Sequence, residues 1–538
     1  MKTIGFKNFR RFEDFPPIEF NGITFLVGRN NSGKSTLVKS LLLIQDFFKS
    51  GNIARLSFGH KVLEDANIVT YGRAKNKKAK KEDPIEFYYR LENYDITIRI
   101  LGYDDDTYAN VYLIKIVDME NNFEFLFEPQ IHTVTISKIL VDSTNEEGKK
   151  TSDLWVLETE INKLKDLVEQ STLKKSSKEY IELVDNLNAL EKKRNQYVHG
   201  IQPEDETSMV GEELIEYKTE NNEEDLVLSY KVSTSYPVGS SLQEIIDFMI
   251  SETIFLHGED YIKTQKGEEP SHDFKNYQGI KQDQPQIVTS FKVFNELLFN
   301  SHFVYLGANP AKQSALFAIR DRNNSLAQSI HEFFQLKIKT ATYTYWFVEK
   351  WMKEFEVGDS FEIKIHAGEA YEVNIFSHNT SIPLADKGMG SIQAMLLILR
   401  LATVIHRNGI TKGSNLQSKP GSRNYTIIIE EPELNLHPRL QSKITDLFLE
   451  MNQDYGLSFI IETHSEYVIR RSQIFVKNNE YEVGPNDNPF YVYYFPKDTG
   501  PYRMRYEENG RFDVNFGEGF FDEATKSTMA LLKPKTNS

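Results

Sequence analysis

The sequence predicts an α/β protein built from a phosphate-binding core with a mixed sheet, an antiparallel β lobe and an inserted helical arm. Three observations support this prediction. Residues 22–50 place a glycine-rich loop between an apolar strand and an apolar-periodic helix, with the sequence GITFLVGRNNSGKSTLVKSLLLIQDFFKS. Residues 85–140 alternate apolar and polar side chains in short segments, as antiparallel strands do. Beyond residue 150 apolar side chains recur every three or four residues, which indicates helices.

The chain opens with residues 1–21, in which phenylalanines alternate with polar side chains. This alternation predicts strands at the edge of a sheet. Two adjacent prolines, Pro16 and Pro17, interrupt the pattern, and we expect the turn between the strands there.

The glycine-rich loop Gly28–Thr36, GRNNSGKST, has the G-x-x-x-x-G-K-[ST] pattern of a nucleotide phosphate loop. Gly28 and Gly33 allow a tight turn in which successive N–H groups face one point, where the following helix also directs its dipole. Lys34 can neutralise the outer phosphates, and the Ser35 hydroxyl can reach Mg²⁺. Four further residues of the loop are predicted to contact the nucleotide: Asn30, Asn31, Ser32 and Thr36.

A lysine-rich run, RAKNKKAKK at residues 73–81, follows the phosphate-loop helix. Such a run is typical of a solvated, mobile loop, which is the interpretation we favour. The alternative is a basic patch that contacts phosphate groups.

The pattern divides the chain into three regions. Residues 1–140 form the first half of the core with the β lobe, residues 141–300 a helical insertion, and residues 301–538 the second half of the core. In the insertion, two apolar stripes are separated by the polar stretch STLKKSSK, which predicts an antiparallel helical hairpin. A short coiled-coil arm and two ordinary packed helices both explain these stripes.

The second half carries acids and a histidine at strand ends. Apolar residues 426–429 lead into Glu430 and Glu431, and a second apolar strand leads through Glu462-Thr463 to His464. Beside a phosphate loop, Glu430 can hold Mg²⁺ and Glu431 can deprotonate the attacking water. His464 can contact a γ-phosphate. Residues 325–357 look helical, with three aromatic side chains predicted to be buried: Trp346, Phe347 and Trp351.

A second glycine-bearing turn, Asp386–Ser391 (DKGMGS), opens a long apolar helix. Glycines before a helix again create a nest of backbone N–H groups. This nest lies more than three hundred residues after the phosphate loop, and it has a use if it caps the nucleotide of a partner subunit.

Composition excludes several classes of protein and site. The chain has no cysteine, so it has no disulfide, thiolate nucleophile or cysteine-bound zinc. Its net charge of −15 argues against a uniformly basic surface, although a local basic groove remains compatible with it. The longest apolar run, Met395–Ile405, is interrupted by Arg400 and is short for a membrane span, and the N-terminus lacks an apolar signal region. We therefore expect a cytoplasmic protein without a membrane partner.

Five motifs in this order resemble an ABC-type ATPase head of the RecF/SMC-like branch, and most closely the ATPase region of the overcoming-lysogenisation-defect (OLD) family. They are KNFRRFED at residues 7–14, GRNNSGKST at 28–36, LADKGMGSIQ at 384–393, IIIEEPELNLHP at 427–438 and ETHSE at 462–466. The sequence is also similar to the stand-alone ATPases of the Septu and PARIS antiphage systems. The resemblance implies an ABC-type head with a short coiled-coil-like arm.

The resemblance also implies how the site works. Two heads form a homodimer, or a higher homo-oligomer, with two ATP molecules between them. Lys34, Ser35 and Glu430 bind ATP and Mg²⁺, Glu431 is the general base, and His464 is the switch histidine. Four residues contact the γ-phosphate of the partner head: Lys387, Gly388, Gly390 and Ser391. The signature departs from that of ABC transporters, because Met389 stands where serine is usual.

Three functions remain open. Nucleases of the OLD family continue into a Toprim domain, whereas only 538 − 464 = 74 residues follow His464 here. We therefore expect an ATPase sensor or scaffold that controls a separate effector nuclease in antiviral defence. The alternative is a RecF-like DNA-repair ATPase that binds DNA directly through a basic groove. A third possibility, a kinase with the same phosphate loop, leaves His464 and the glycine nest unexplained.

Overall fold

The structure is a computed structural model of the 538-residue chain. The chain divides into two compact units, residues 1–136 with 232–538, and residues 137–231. The structure describes residues 2–59, 68–139, 228–256, 272–307, 314, 316–321, 324–378, 380–407, 409, 424–478, 488–497, 499–517 and 521–532. The predicted helical hairpin lies outside these residues. The predicted boundaries at residues 140 and 300 stay predictions.

A six-stranded sheet forms the centre of the first unit. Its strands are β3 (Ile23–Gly28), β11 (Ser301–Leu306), β16 (Asn424–Glu430), β17 (Ser458–Glu462), β18 (Phe490–Phe495) and β19 (Tyr502–Met504). Their order is β11-β16-β17-β3-β18-β19, and all neighbours are parallel except the β18–β19 pair. Helices join the parallel strands, as such connections require. This is the predicted mixed sheet with the phosphate-loop strand inside it.

The predicted antiparallel lobe is a nine-stranded sheet. It contains β1 (Lys2–Phe9), β2 (Phe12–Phe20), β4 (Arg55–Ser57), β5 (Ile85–Leu91), β6 (Tyr94–Leu101), β7 (Tyr108–Asp118), β8 (Phe123–Glu128), β9 (Thr133–Ile139) and β10 (Leu228–Ser235). The order is β10-β9-β8-β7-β6-β5-β1-β2, with β4 beside β7. Alternate side chains along β5 and β6 are buried, as the sequence pattern predicts. The fold class, an α/β head with a phosphate-loop core and an antiparallel lobe, is confirmed.

The N-terminal turn differs from the prediction. Pro16 and Pro17 lie inside β2, and the chain reverses instead at Arg10 and Arg11. β2 is the edge strand of its sheet, where a residue without an N–H group is tolerated. The pairing of β1 with β2 shifts register between Ile4 and Phe6, opposite the prolines, so a bulge accommodates them.

Ten helices and a third sheet complete the described part of the chain. The helices are Lys34–Ser50, Tyr71–Ala74, Leu242–Leu256, His272–Asn300, Ser325–Gln335, Tyr343–Glu354, Met389–Arg407, Pro438–Tyr455, Glu466–Asn478 and Glu523–Leu532, with a 3₁₀ turn at Leu384–Asp386. The third sheet contains β12 (Phe317–Ala318), β13 (Ser360–His366), β14 (Ala370–Ser377) and β15 (Thr380–Pro383).

The aromatic residues of the 343–354 helix are only partly buried. Phe347 and Trp351 are each 2% exposed, as predicted, whereas Trp346 is 52% exposed and packs edge-on against Tyr343 at 5.4 Å between ring centroids. The prediction for Trp346 is wrong because residue 346 lies outside the stripe that faces the core, which passes through residues 344, 347, 348, 351 and 352.

The helix Met389–Arg407 belongs to the same buried hydrophobic cluster as strands of the central sheet. By length and composition alone it could cross a membrane, since an 18-residue window has a mean hydropathy of 1.5. However, 67% of that window is buried inside the protein. Arg400 within it contacts Glu332 and the Tyr305 carbonyl, each at 3.4 Å. These contacts are those of a core helix, and the cytoplasmic location stays a prediction.

Candidate functional site

The phosphate loop connects β3 to the Lys34–Ser50 helix and needs both of its glycines. Gly28 has φ +147° and Gly33 has φ +107°, which side chains rarely tolerate. A Cβ atom at residue 28 would lie 2.3 Å from the Phe495 carbonyl oxygen, and one at residue 33 would lie 2.4 Å from the Phe12 ring. The Arg10–Arg11 turn and β18 therefore press closely on the loop from two sides.

The loop offers donors that suit an anion. No side chain caps the N-terminus of the Lys34–Ser50 helix, where the helix dipole favours an anion. The Ser32 hydroxyl is buried and has no hydrogen-bond partner among the described residues. Asn31 adopts a left-handed φ of +60°, which turns the loop around the same point. These features fit the phosphates of a nucleotide.

Lys34 is buried at the base of the loop. Its Nζ donates to the carbonyl oxygens of Gly28 at 3.1 Å and Arg29 at 3.0 Å. The same atom lies 3.6 Å from Oε1 of Glu462. Burial lowers the pKa of Lys34, and the Glu462 carboxylate opposes that shift. Two carbonyl oxygens and the Glu462 carboxyl group therefore fix the position of the Lys34 ammonium group at the loop.

The predicted acids meet the loop because of the strand order. β17 lies between β3 and β16, and Glu430 pairs with Glu462 in the register of the parallel strands. The Glu431 N–H donates to the Glu462 carbonyl at 2.8 Å, and the Thr463 N–H donates to the Leu26 carbonyl at 3.2 Å. The carboxyl ends of three neighbouring strands therefore form one edge.

Glu462 was given no role by the sequence. Its Oε2 accepts a hydrogen bond from Ser35 Oγ at 2.9 Å, and its side chain is 9% exposed. Burial raises the pKa of Glu462, and the neighbouring Glu430 adds to the shift while Lys34 opposes it. The ETHSE motif could have indicated a role for Glu462, because a charged residue at the end of an otherwise apolar strand needs a partner.

Glu431 and His464 lie together beyond the strand ends. Glu431 has a left-handed φ of +47°, and its Oε1 is 4.0 Å from His464 Nε2. Burial lowers the pKa of His464 to about 4, and the positive charge of Lys34 contributes. His464 is therefore neutral at pH 7 and can donate or accept a hydrogen bond.

Glu433 positions His464 and is another residue that the sequence did not predict. Its Oε1 accepts the His464 N–H at 2.7 Å, and the residue is 8% exposed. Burial raises its pKa. An acid two residues after a predicted base gives no sequence signal for this role, since only the fold brings residue 433 to the backbone of residue 464.

The glycine-bearing turn directly precedes the Met389–Arg407 helix, whereas its predicted role as a nest of N–H groups stays a prediction. Gly388 is exposed, and a Cβ atom there would meet nothing within 4 Å. Gly390 is packed instead, since a Cβ atom would lie 2.8 Å from the Asn435 carbonyl oxygen. Lys387 and Ser391 are half-buried, and the Ser391 N–H donates to the Gly388 carbonyl at 2.9 Å. The contact of residues 387–391 with a partner's nucleotide stays a prediction.

A basic cavity of about 850 Å³ adjoins the phosphate loop. Its cationic lining consists of Arg10, Arg11, Lys34, Lys39, Arg73, Lys75, Lys77 and Lys78, and Glu462 is its acidic member. Mutual repulsion between Arg10 and Arg73 adds to burial in lowering the pKa of Arg10. A cavity with this surplus of cations suits a polyanion such as a nucleoside triphosphate.

The lysine-rich run forms one wall of this cavity, and the favoured prediction of a mobile loop is wrong for its first part. The Arg10 N–H donates to the Ala74 carbonyl, and the Asn76 N–H donates to the Asn8 carbonyl. Lys75 and Asn76 are buried, and Lys75 Nζ donates to the Lys81 carbonyl at 2.8 Å. The run is hydrogen-bonded to the end of β1, and its contact with phosphate groups stays a prediction.

The residues at the strand ends fit Mg²⁺ in the company of a nucleotide. Within the described ranges, no group of three or more His, Asp or Glu side chains could hold a metal ion without other ligands. A hydroxyl from Ser35 and carboxylates from Glu430 and Glu462 are the hard oxygen ligands that Mg²⁺ prefers, and phosphates commonly complete such sites. Ser35 and Glu430 are the predicted metal residues.

Comparison with known proteins identifies the family. No curated protein matches the chain. An SMC head domain with an extended coiled coil, bound to the C-terminal domain of ScpA and derived from Pyrococcus furiosus, is 10% identical, with 99% of this chain and 100% of that chain covered and a TM-score of 0.33. An SMC head bound to the winged-helix domain of ScpA is 9% identical, covering 97% and 98%, with a TM-score of 0.30. The family model described as the AAA ATPase domain matches residues 1–469, and this chain therefore belongs to that ATPase family.

Proposed function

We propose that the chain hydrolyses ATP, with Glu431 as the general base. The observation that carries the proposal is the meeting of Lys34, Glu431 and His464 at one edge of the central sheet. Glu431 is close enough to Lys34 to affect its pKa, and its carboxylate lies 4.0 Å from the His464 ring. The backbone at Glu431 is left-handed and turns the chain directly after the end of β16.

Each residue has a distinct part in the proposed reaction. The N–H groups of residues 28–33 and the Lys34 ammonium bind the phosphates. Glu431 accepts a proton from the attacking water, and the neutral His464 donates a hydrogen bond to the γ-phosphate without adding charge. Bound Mg²⁺ would withdraw charge from the phosphate oxygens. The proton leaves on the Glu431 carboxylate, and ADP and phosphate are the products.

The test compares Glu431→Gln with Lys34→Ala. A general base contributes about 10²–10⁴-fold, so Glu431→Gln should lower kcat by at least about 100-fold while ATP still binds. Lys34→Ala should lose ATP binding itself. Phosphate release and nucleotide affinity measure these effects. Hydrolysis by Glu431→Gln at the unaltered rate would remove Glu431 from the mechanism.

The proposal extends to a dimer in which residues 387–391 of one head close the site of the other. Its support is the exposed position of Gly388 at the start of a helix and the resemblance of the DKGMGS turn to a signature motif. Trapped ATP should hold two copies together, so Glu431→Gln with ATP should sediment as a dimer. Sedimentation as a monomer at saturating ATP would contradict this part.

The biological part of the proposal is a scaffold that controls a separate effector nuclease in antiviral defence. Its support is the resemblance of the five motifs to those of the OLD family. Purification of the tagged Glu431→Gln chain from its native host, with ATP, should recover a nuclease encoded beside it. Recovery of no such protein would count against this role.

Direct DNA binding is the second candidate, and the basic cavity favours it. Arg73, Lys77 and Lys78 are exposed, line this cavity and would contact backbone phosphates. Replacing them with alanine should weaken DNA binding and reduce its salt dependence by about one unit per lost contact. Unchanged binding would remove this surface from the candidate.

A further inference from the structure

Glu462 lies within the site but has no role in the proposed mechanism. It ends β17, directly beside the phosphate-loop strand, and its carboxylate contacts the two loop residues that MgATP requires. Oε2 accepts from the Ser35 hydroxyl at 2.9 Å, and Oε1 lies 3.6 Å from Lys34 Nζ. The side chain is 9% exposed, so these contacts are made largely away from water.

Lys34 is the cation that the Glu462 carboxyl group faces in the structure. A buried carboxylate is costly unless a cation or several hydrogen bonds compensate it. In the proposed function Lys34 turns to the phosphates, and Glu462 then stays beside Glu430 and Glu431 at the same strand ends. Three carboxylates at one edge, next to a bound polyphosphate, need a new cation.

The spacing of Glu462 and Ser35 suits that cation. Mg²⁺ binds oxygen ligands at about 2.0–2.1 Å in an octahedron, so two adjacent ligands are about 2.9 Å apart. The Ser35 Oγ–Glu462 Oε2 distance is 2.9 Å. A metal ion that binds the Ser35 hydroxyl can therefore bind Glu462 as its neighbouring ligand without rearrangement of either side chain.

We propose that Glu462 is a ligand of the nucleotide-bound Mg²⁺, adjacent to Ser35 and on the same side as Glu430. The inference rests on the proposed function, since it requires a nucleotide in the loop. It gives the site two carboxylates and one hydroxyl, within the one or two carboxylates that Mg²⁺ commonly takes together with phosphates.

The test measures metal and nucleotide binding in the full chain with a non-hydrolysable ATP analogue. Mn²⁺ replaces Mg²⁺ so that electron paramagnetic resonance reports the bound ion. Glu462→Gln should weaken Mn²⁺ binding to the nucleotide-loaded protein by at least about tenfold. In EDTA its affinity for the analogue should stay within about twofold of the unaltered chain or improve, since Lys34 loses a competing acid.

Two further variants control the experiment. Glu466→Gln removes an acid four residues away that is paired with Arg470 on the surface, and it should leave Mn²⁺ binding unchanged. Glu462→Asp keeps the charge but shortens the side chain, so it should bind Mn²⁺ more weakly than the unaltered chain and more tightly than Glu462→Gln. Thermal unfolding of each variant shows whether it is folded.

The outcomes separate this inference from the function on which it rests. Unchanged Mn²⁺ affinity in folded Glu462→Gln would overturn the inference while leaving ATP hydrolysis by Glu431 in place. An equal gain in analogue affinity with and without metal would also overturn it, because Glu462 would then act only as a competitor for Lys34. Failure of the unaltered chain to bind the analogue would overturn the proposed function and the inference together.

Discussion

At the scale of single residues, Glu433 connects the segment of the proposed base Glu431 to His464 through one hydrogen bond. It follows the proposed base by two positions, and its Oε1 accepts the N–H of His464. Glu433→Ala should displace His464, because a buried N–H without an acceptor costs about 1–3 kcal/mol. We expect kcat to fall by about 10-fold or more, with nucleotide affinity nearly unchanged, as measured by phosphate release and equilibrium binding.

The conservative substitution makes this prediction specific. Glu433→Gln keeps an acceptor oxygen of the same reach, so it should retain most of the activity that Glu433→Ala loses. Because the carboxyl pKa is already raised by burial, the loss of charge matters less than the loss of the acceptor. Equal activity of Glu433→Ala and the unaltered chain would show that His464 does not depend on this bond.

Site residues could be predicted from the sequence where a motif stands at the end of an apolar strand. Glu430, Glu431 and His464 follow apolar strands, and the carboxyl ends of parallel strands meet at one edge, so their approach to Lys34 could be expected. Glu462 and Glu433 could not be assigned in the same way. Their roles depend on β17 lying directly between β3 and β16, and no local pattern determines the order of strands in a sheet.

At the scale of elements, the sequence predicted strands better than the loops between them. Alternation predicted the antiparallel lobe, because one face of each strand is buried. The position of the turn at Arg10–Arg11 and the packing of residues 73–78 were not predicted. The composition of a loop indicates how well water solvates it, whereas the conformation here depends on backbone hydrogen bonds to other parts of the chain. At the end of β1, the Asn8 carbonyl and the Arg10 N–H form hydrogen bonds with the lysine-rich run. The number of charged residues in the run does not reveal these bonds.

The position of this run gives an element-scale prediction about nucleotide binding. Arg73 and Lys77 are exposed and line the cavity beside the phosphate loop. Replacing both with alanine should weaken ATP binding several-fold at about 0.05 M salt, because the cavity loses part of its positive potential. The effect should shrink at about 0.3 M salt, where the Debye length is shorter. Titrations at both salt concentrations measure it.

The same run provides the matched control. Lys80 and Lys81 are also exposed, and their replacement removes the same two charges, but neither lines the cavity. That double variant should bind ATP within about twofold of the unaltered chain. Equal losses in both double variants would mean that net charge, and not the cavity wall, sets the affinity.

At the scale of the whole molecule, the question is whether one chain contains a complete site. The phosphate loop, the strand-end acids and His464 belong to one edge of the central sheet. Gly388, at the start of the core helix, is exposed, and its Cα faces open space. Gly390 is a poorer probe of assembly, because any side chain there would press on the Asn435 carbonyl of its own chain.

Gly388→Trp therefore tests assembly without strain inside the chain. If residues 387–391 close the site of a partner, the indole should block the approach of the two heads. We expect ATP affinity within about twofold of the unaltered chain but a loss of the ATP-dependent dimer and a fall in kcat of at least about 100-fold. Gly500→Trp, at an equally open and exposed glycine, is the control and should keep both properties.

Mixing two inactive variants makes the prediction decisive. Lys34→Ala heads lack a working phosphate loop but keep the glycine-bearing turn, whereas Lys387→Ala heads have the opposite defect and place no bulky side chain between the heads. If the site is shared, a mixed dimer contains one intact site, formed by the loop of one chain and the glycine nest of the other. Hydrolysis should then reappear on mixing and vary with the ratio of the two chains. A mixture as inactive as its components, from variants that are both folded, would mean that each head completes its site alone.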